Sequence, residues 1–466
     1  MVDRNEKLNR KRQQNEGDEP KEMRQEAKRL KEEPIEEAPA ASTPTTKITD
    51  LNNDCLEHIF NHLKFADLFN VADSNKHLVA AVGQVFWRKY RKIPVDLYTC
   101  VANDAYFKLT PNCIWLYDRT AALKFLRNFG HVITDLRITC FRTNDAYFTE
   151  LHRYVFEYCS ETLIDISFSY MNGCVFSSIE KSFPNIQSVN FNYGRMNENL
   201  CQINKWFPNV RHLNFGSFVK LDDRKCIQAH YQHLQSLTVE RFNSQNQIGF
   251  EETNVMEALR LNPNLQHLKV KNFPTKFLRK ISKYMQRVEN LEITLRSGDI
   301  NHRGPLIRLE NVKKLLIHME SEQQYGFMNL PFTFSHVEEL RYVTDSSWKS
   351  FYLQWNAFFS KNPLRKVHFK ACKLGRNAPL TIKNDILTKD LPLVTELILE
   401  NCRISINEAT GFLNECRFLT KFGFNFTSLH EYEMLLKLLG TVTEWHGNFD
   451  ESNRYVELER LMIKQK

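Results

Sequence analysis

The stretch Phe183–Phe215, FPNIQSVNFNYGRMNENLCQINKWFPNVRHLNF, contains one pattern twice. Phe183-Pro184-Asn185 leads into Ile186, Val189 and Phe191, and Phe207-Pro208-Asn209 leads into Val210, Leu213 and Phe215. The apolar residues of each copy fall at φ-x-x-φ-x-φ. Alternate side chains of a strand share a face, so each copy predicts a short strand with one apolar side. Ile203–Phe207 has helical spacing, and Pro208 stops it, because proline cannot continue a helix. The unit is therefore helix, proline turn, strand.

Outward from this stretch the pattern recurs along most of the chain. Upstream copies are Ile133/Leu136/Ile138 and Leu163/Ile166/Phe168. Downstream copies are Leu234/Leu237/Val239, Leu265/Leu268/Val270, Val288/Leu291/Ile293, Val312/Leu315/Ile317, Val337/Leu340/Tyr342, Leu364/Val367/Phe369, Val394/Leu397/Leu399 and Leu419/Phe422/Phe424. Starts lie 23 to 31 residues apart, and a degenerate thirteenth begins at Val442 with Trp445. Phe176–Phe183, Asn254–Leu261 and Lys276–Met285 read as intervening helices. No single copy buries its apolar face, but stacked neighbours do. The motif and period resemble the leucine-rich repeat. The resemblance implies an α/β repeat: an irregular solenoid of about twelve repeats over residues 129–447. The asparagine that the family places after the motif is mostly absent here. Residues 93–128 are expected to cap one end, with Trp115, Leu116, Leu123 and Phe125 over the first repeat. Residues 448–466 are expected to form the other cap or a tail.

Strand residues between the apolar positions point away from the core. In repeats three to five these are polar and almost neutral: Ser188, Asn190, Asn192, His212, Asn214, Gly216, Ser236, Thr238 and Glu240. His267, Lys269 and Lys271 are basic, as are Arg341, Lys366, His368 and Lys370, whereas Glu396 and Glu400 are acidic. The seven basic positions are the candidate target-binding set, with a protein partner carrying acidic segments as the expected ligand, since complementary charge fixes register.

Ahead of the repeats lies Leu51–Tyr90, LNNDCLEHIFNHLKFADLFNVADSNKHLVAAVGQVFWRKY. Leu56, Ile59, Phe60 and Leu63 form one helical stripe. Asn52, Asn53 and Asp54 suit its N-cap, and Asp67 suits the next. Leu68, Val71 and Ala72 form a second stripe; Leu78, Ala81, Val82, Val85 and Phe86 form a third. Leu51, Leu56, Ile59-Phe60, Leu63, Asp67-Leu68, Val71, Lys76 and Phe86-Trp87 together resemble an F-box; the match covers residues 49–90, within a domain expected over 47–92. Asn52 stands where that family usually has proline, and Leu78 where it usually has tryptophan. The resemblance implies docking to the Skp adaptor, and through it to a cullin–RING ubiquitin ligase, with Leu51, Leu56, Ile59 and Leu63 as the contact residues. The other reading is a leucine-rich-repeat scaffold that binds proteins without a ligase, its helical module only capping the array.

Residues 1–46 hold ten Lys/Arg and eleven Asp/Glu, few apolar residues and the run APAASTPTT, so disorder is expected. The chain's net charge of +8 therefore belongs to the folded part and is modest for a nucleic-acid binder. No aromatic–basic platform supports nucleic acid either. No apolar run nears the roughly 18 residues of a membrane span, and the start has no secretory apolar core, which predicts cytoplasm or nucleus. The eleven cysteines form no CxxC pair, and His58 and His62 have no third ligand, so neither a metal nor any cofactor is expected. Gly-rich phosphate loops, GxSxG and HExxH are missing, which predicts a non-catalytic chain.

Overall fold

The computed structural model describes residues 47–98, 107–139, 145–172, 182–196, 203–216, 219–221, 227–241, 250–295, 307–319, 332–344, 358, 361–371, 380–381, 391–403, 406–426, 430, 433–434, 437, 445–450 and 454–460. Two compact units are Met1–Asp50 and Leu51–Lys466. Of the first, the described part is a single 3-10 turn, Ile48–Asp50, in which the Asp50 carboxylate accepts from the Lys47 amide at 2.9 Å. The tail expected to be disordered, 1–46, and residues 176–181 of the helix expected over 176–183 lie outside the described residues; its last two positions, 182–183, are not helical.

The second unit opens with three helices: α1 (Asn53–Phe60), α2 (Phe65–Ser74) and α3 (Val79–Tyr90). Asn52 caps α1, its side chain accepting from the Cys55 amide at 2.9 Å. The second helix starts earlier than expected, at Phe65. Asp67 thus sits in its first turn, where a carboxylate favours the helix dipole, and does not cap it. Lys89 Nζ donates to the carbonyls of Asn61 and Leu63, satisfying acceptors that the end of α1 leaves open. Leu56, Phe60, Leu68, Ala72, Leu78, Ala81, Val82, Val85 and Phe86 are all buried, so the three stripes face one core.

That core does not end with the module. Helix α4 (Arg119–Phe129) brings Phe125 and Phe129 against Phe69 and Phe86, with Phe86 and Phe129 ring centroids 4.7 Å apart. Asp73 on α2 pairs with Lys124 at 2.7 Å and Arg127 at 3.1 Å on α4.

Strands β1 (Val95–Tyr98), β2 (Phe107–Thr110) and β3 (Cys113–Leu116) begin a large sheet. It continues through β4 (Asp135–Thr139), β5 (Asp165–Asn172), β6 (Ser188–Met196), β7 (His212–Phe215), β8 (Val219–Leu221), β9 (Ser236–Glu240), β10 (His267–Lys271) and β11 (Asn290–Leu295). Beyond β12 (Ile307–Leu309) come β13 (Lys314–Met319), β14 (Phe332–Phe334), β15 (Glu339–Thr344), β16 (Lys366–Ala371), β17 (Leu380–Thr381), β18 (Glu396–Arg403), β19 (Lys421–Asn425), β20 (Trp445–Asp450) and β21 (Tyr455–Arg460), of which β12 and β14 form a separate two-stranded sheet. The main ladder runs β3–β1–β4–β5–β6–β7–β9–β10–β11–β13–β15–β16–β18–β19, parallel throughout. Helices precede several strands, among them α5 (Asp145–Cys159), α6 (Ile203–Trp206), α7 (Glu252–Leu261), α8 (Thr275–Ile281) and α9 (Ile406–Glu415). This is an α/β repeat of the leucine-rich-repeat kind: every one of the twelve sequence motifs supplies one strand, and every apolar residue of those motifs is at most 3% exposed.

Register is locked by the backbone. At each step from β4 to β19, two consecutive amides at the strand entry donate to one carbonyl of the preceding repeat, as Glu338 and Glu339 do to Lys313 at 2.8 and 3.0 Å. Asparagines add a second tie. Asn185 donates to the Glu161 carbonyl at 2.7 Å and Asn209 to that of Pro184 at 2.8 Å, each reaching back one repeat. Buried Asn262 donates to the Ala229 carbonyl and accepts from the Tyr231 amide, both at 2.9 Å. The family's usual asparagine is missing, and these take over its work of satisfying backbone between repeats.

Both ends differ from expectation. Two further parallel strands, β3 and β1, precede the first motif: Val95 and Leu97 of β1 stand opposite Leu136 and Ile138. Leu116 and Phe125 are buried there as expected and Leu123 is half-buried, but Trp115 alternates with Ile114 and Leu116 and projects from the opposite face. At the far end Trp445 starts no parallel repeat. Strand β20 pairs antiparallel with β21, which lies antiparallel on β19, so an antiparallel hairpin over 445–460 follows the last repeat.

Candidate functional site

Because the apolar side chains of each strand face the helices, the intervening ones form a continuous outward face. Register puts these residues into rows across the sheet. One row reads Ser236, His267, Asn290, Lys314, Glu339, Lys366, Glu396 and Lys421. The next reads Thr238, Lys269, Glu292, Leu316, Arg341, His368 and Ile398. Between β9 and β18 the two rows line a groove of about 480 Å³.

The groove is not the basic surface the sequence predicts. Each of its lysines stands beside a glutamate of the next strand. Lys314 pairs with Glu339 at 2.9 Å, Lys366 with Glu396 at 3.6 Å, and Lys269 with Glu292. Just beyond the groove, Lys370 pairs with Glu400, whose other oxygen accepts from His368 Nε2 at 3.1 Å. Burial alone would raise the Glu400 carboxyl; hydrogen bonds from Lys370 and His368 outweigh it and hold it below the usual carboxylate range. Burial lowers the His368 imidazole, helped by the nearby Arg341 charge, and burial likewise lowers that of His267. His267 Nδ1 lies 2.5 Å from the Asn290 side-chain amide. Lys271 sits on β10 at the edge of the same face and is half-buried.

Arg341 is the exception. Its side chain is exposed at the middle of the groove, between Leu316 and His368, and it forms no ion pair or hydrogen bond among the described residues. With Lys269, Lys314 and Lys366 against Glu292, Glu339 and Glu396, this guanidinium is the groove's one unneutralised charge among the described residues. Asn290, Glu292, Lys314, Leu316 and Glu339 also line the groove and lie outside the predicted cationic set. They occupy the same motif positions as members of that set, one or two repeats away.

A second hollow, of about 620 Å³, follows on the same face and is lined by Glu396, Glu400, Asp450 and Glu457 around Lys421, which pairs with Glu457 at 2.9 Å. Tyr455 crosses it, its hydroxyl pKa raised by burial and then by Glu457. A Cβ at Gly423 would collide with that hydroxyl, so glycine makes room for the ring.

The predicted adaptor-contact residues separate. Leu56 is 3% exposed and belongs to the core, whereas Ile59 is 42% exposed. Leu51 and Leu63 are half-buried and pack against that core. Trp87 on α3, which the sequence reading used only as a family landmark, is 37% exposed and carries Arg91 over its ring at 4.2 Å. His58 and His62 lie ring to ring at 5.6 Å, and no group of three metal-ligating side chains occurs among the described residues. Nor is any helix among them long and apolar enough to cross a membrane.

No protein family profile matches the chain, and no curated protein matches it. Among solved structures it is similar to TLR13 in its crystal structure with ssRNA13, at 14% identity and a TM-score of 0.34 over 62% of this chain and 45% of that one. It is also similar to the LRR protein LIC12759 of Leptospira interrogans, at 12% identity and a TM-score of 0.26 over 68% and 96%. The chain thus spans under half of the TLR13 chain, and likenesses this distant add nothing to the strand order that establishes the repeat.

Proposed function

We propose that this chain is the substrate-recognition subunit of a Skp–cullin–F-box ubiquitin ligase: its helical module docks on the Skp adaptor and the outward face of its repeats holds a protein target. On this reading it performs no chemistry; it raises the target's effective concentration at the ligase. The observation that carries the docking half is Ile59. A large apolar side chain stands exposed on α1, with Leu51 and Leu63 half-buried, in a module whose other two stripes are buried except for half-buried Val71. For the target half it is Arg341, poised beside Leu316 to receive a carboxylate next to an apolar side chain.

Ile59→Lys is expected to cut co-purification with the adaptor at least tenfold while leaving the unfolding midpoint unchanged. Leu56 is unsuited to the same test, since a lysine there breaks the core. If wild type does not co-purify with the adaptor, or Ile59→Lys co-purifies equally, the docking half is wrong. Target capture has its own check. Proteins that accumulate when the chain is removed should also accumulate when Arg341→Glu replaces it; unchanged abundances would exclude Arg341 as the anchor. Reversing Lys269, Lys366 or Lys370 would instead break pairs within the chain and is a poorer probe.

The fused core favours a second reading. Phe65, Phe69 and Phe86 share a ring cluster with Phe125 and Phe129, as a pure capping module would. A scaffold of that kind would bind its protein partner in the groove and no adaptor.

A further inference from the structure

We infer that the opposite end of the outward face holds a separate site, an aromatic box of Tyr98, Trp115 and Tyr117 beside the Asp96 carboxylate, that takes an alkylammonium cation such as an N-methylated lysine side chain. Strand alternation builds it. Val95, Leu97, Ile114 and Leu116 point into the core, so Asp96, Tyr98 and Trp115 project outward, and Tyr117 continues that alternation past β3. Parallel pairing sets Asp96 directly against Trp115.

The three rings cluster on this face. Trp115 and Tyr117 lie within 7° of parallel with centroids 6.5 Å apart, and Tyr98 stands nearly perpendicular to both at 5.8 Å from each. Aromatic faces carry negative potential, and a cation is attracted within about 6 Å of a centroid. A cation seated over this triangle of centroids falls within that range of all three rings. All three are half-exposed, on a face where polar residues would ordinarily serve.

Asp96 supplies the second, independent observation. It is 5% exposed; Thr139 hydrogen-bonds its carboxylate, but its Oδ1 accepts no hydrogen bond among the described residues. A buried carboxylate with an open acceptor is costly and calls for a partner. Arg137, opposite it on β4, forms no ion pair with it, while Asp135 adds negative charge nearby. The box lies on β1 and β3, with four ladder strands between it and the groove, so the inference does not rest on the docking proposal.

Calorimetric titration of the full chain tests it, using a short peptide containing trimethyllysine, the same peptide with the uncharged carbon isostere, and choline. The trimethyllysine peptide or choline should bind, and the isostere at least tenfold more weakly; which cation binds tighter tells whether the source is a protein side chain or a small molecule. Trp115→Ala and Tyr117→Ala should each lose at least tenfold, Tyr117→Phe should retain binding, and Asp96→Asn should lose several-fold, with unfolding midpoints recorded to confirm folding. Equal binding of cation and isostere, unchanged binding in folded Trp115→Ala and Tyr117→Ala, or no binding of either cation would overturn the site.

Discussion

Phe86→Ala is expected to destabilise the second unit by about 3 to 5 kcal/mol, the usual cost of deleting a fully buried aromatic. Phe86 is 2% exposed and touches Phe65, Phe125 and Phe129 at centroid distances of 6.3, 5.6 and 4.7 Å. It thus belongs to the module by sequence and to the first repeat by packing. Denaturant unfolding followed by circular dichroism, with hydrogen exchange resolved by segment, should show protection lost together in α3 and α4. Loss confined to α1–α3 would mean that the module is an independent unit. For comparison, Ile59→Lys on the exposed side of the same module should stay within about 0.5 kcal/mol of wild type.

Asp96→Asn is expected to stabilise the chain at neutral pH, with an effect that depends on pH in a defined direction. Burial raises the Asp96 carboxyl from 3.8 to about 6, against a hydrogen bond from Thr139 and the Arg137 charge, which lower it. A carboxyl whose folded pKa lies above its unfolded one favours the protonated form in the fold. Its penalty is absent below about pH 3.8, grows as pH rises towards 6, and is complete above that. About two units correspond to roughly 3 kcal/mol. The stability difference between Asp96→Asn and wild type should therefore be small at pH 4 and reach about 1 to 3 kcal/mol at pH 7, measured by denaturant unfolding at each pH. A difference that does not change over this range would show that the carboxylate is not held in its costly form. A group kept at such a cost is consistent with a use for its charge, as the alkylammonium site requires.

Much of the fold is legible along the chain. A strand's side chains alternate by backbone geometry, so Leu136, Leu213 or Leu340 can be assigned to the core without knowing any neighbour, and Ser188 or Lys366 to the other face. The first strand escaped because Lys92 occupies the leading apolar position of the motif before Val95 and Leu97, and Trp445 misled because an apolar residue at repeat spacing does not specify strand direction. The candidate site was half legible for a related reason. Which residues face outward is local, but whether Lys366 is available depends on Glu396, thirty positions away.

What the sequence by itself determined is the repeat, its strands, their buried faces and the identity of the outward residues, because each follows from short-range alternation and a recurring period. What only the tertiary structure decided is which of those residues are left over: Glu292, Glu339 and Glu396 neutralise the lysines and leave Arg341, and the packing of α1 on α3 buries Leu56 and leaves Ile59. Facing is a property of one strand or helix, whereas pairing and cover belong to whatever is stacked beside it. Charge and exposure are therefore settled only when register brings the next repeat alongside.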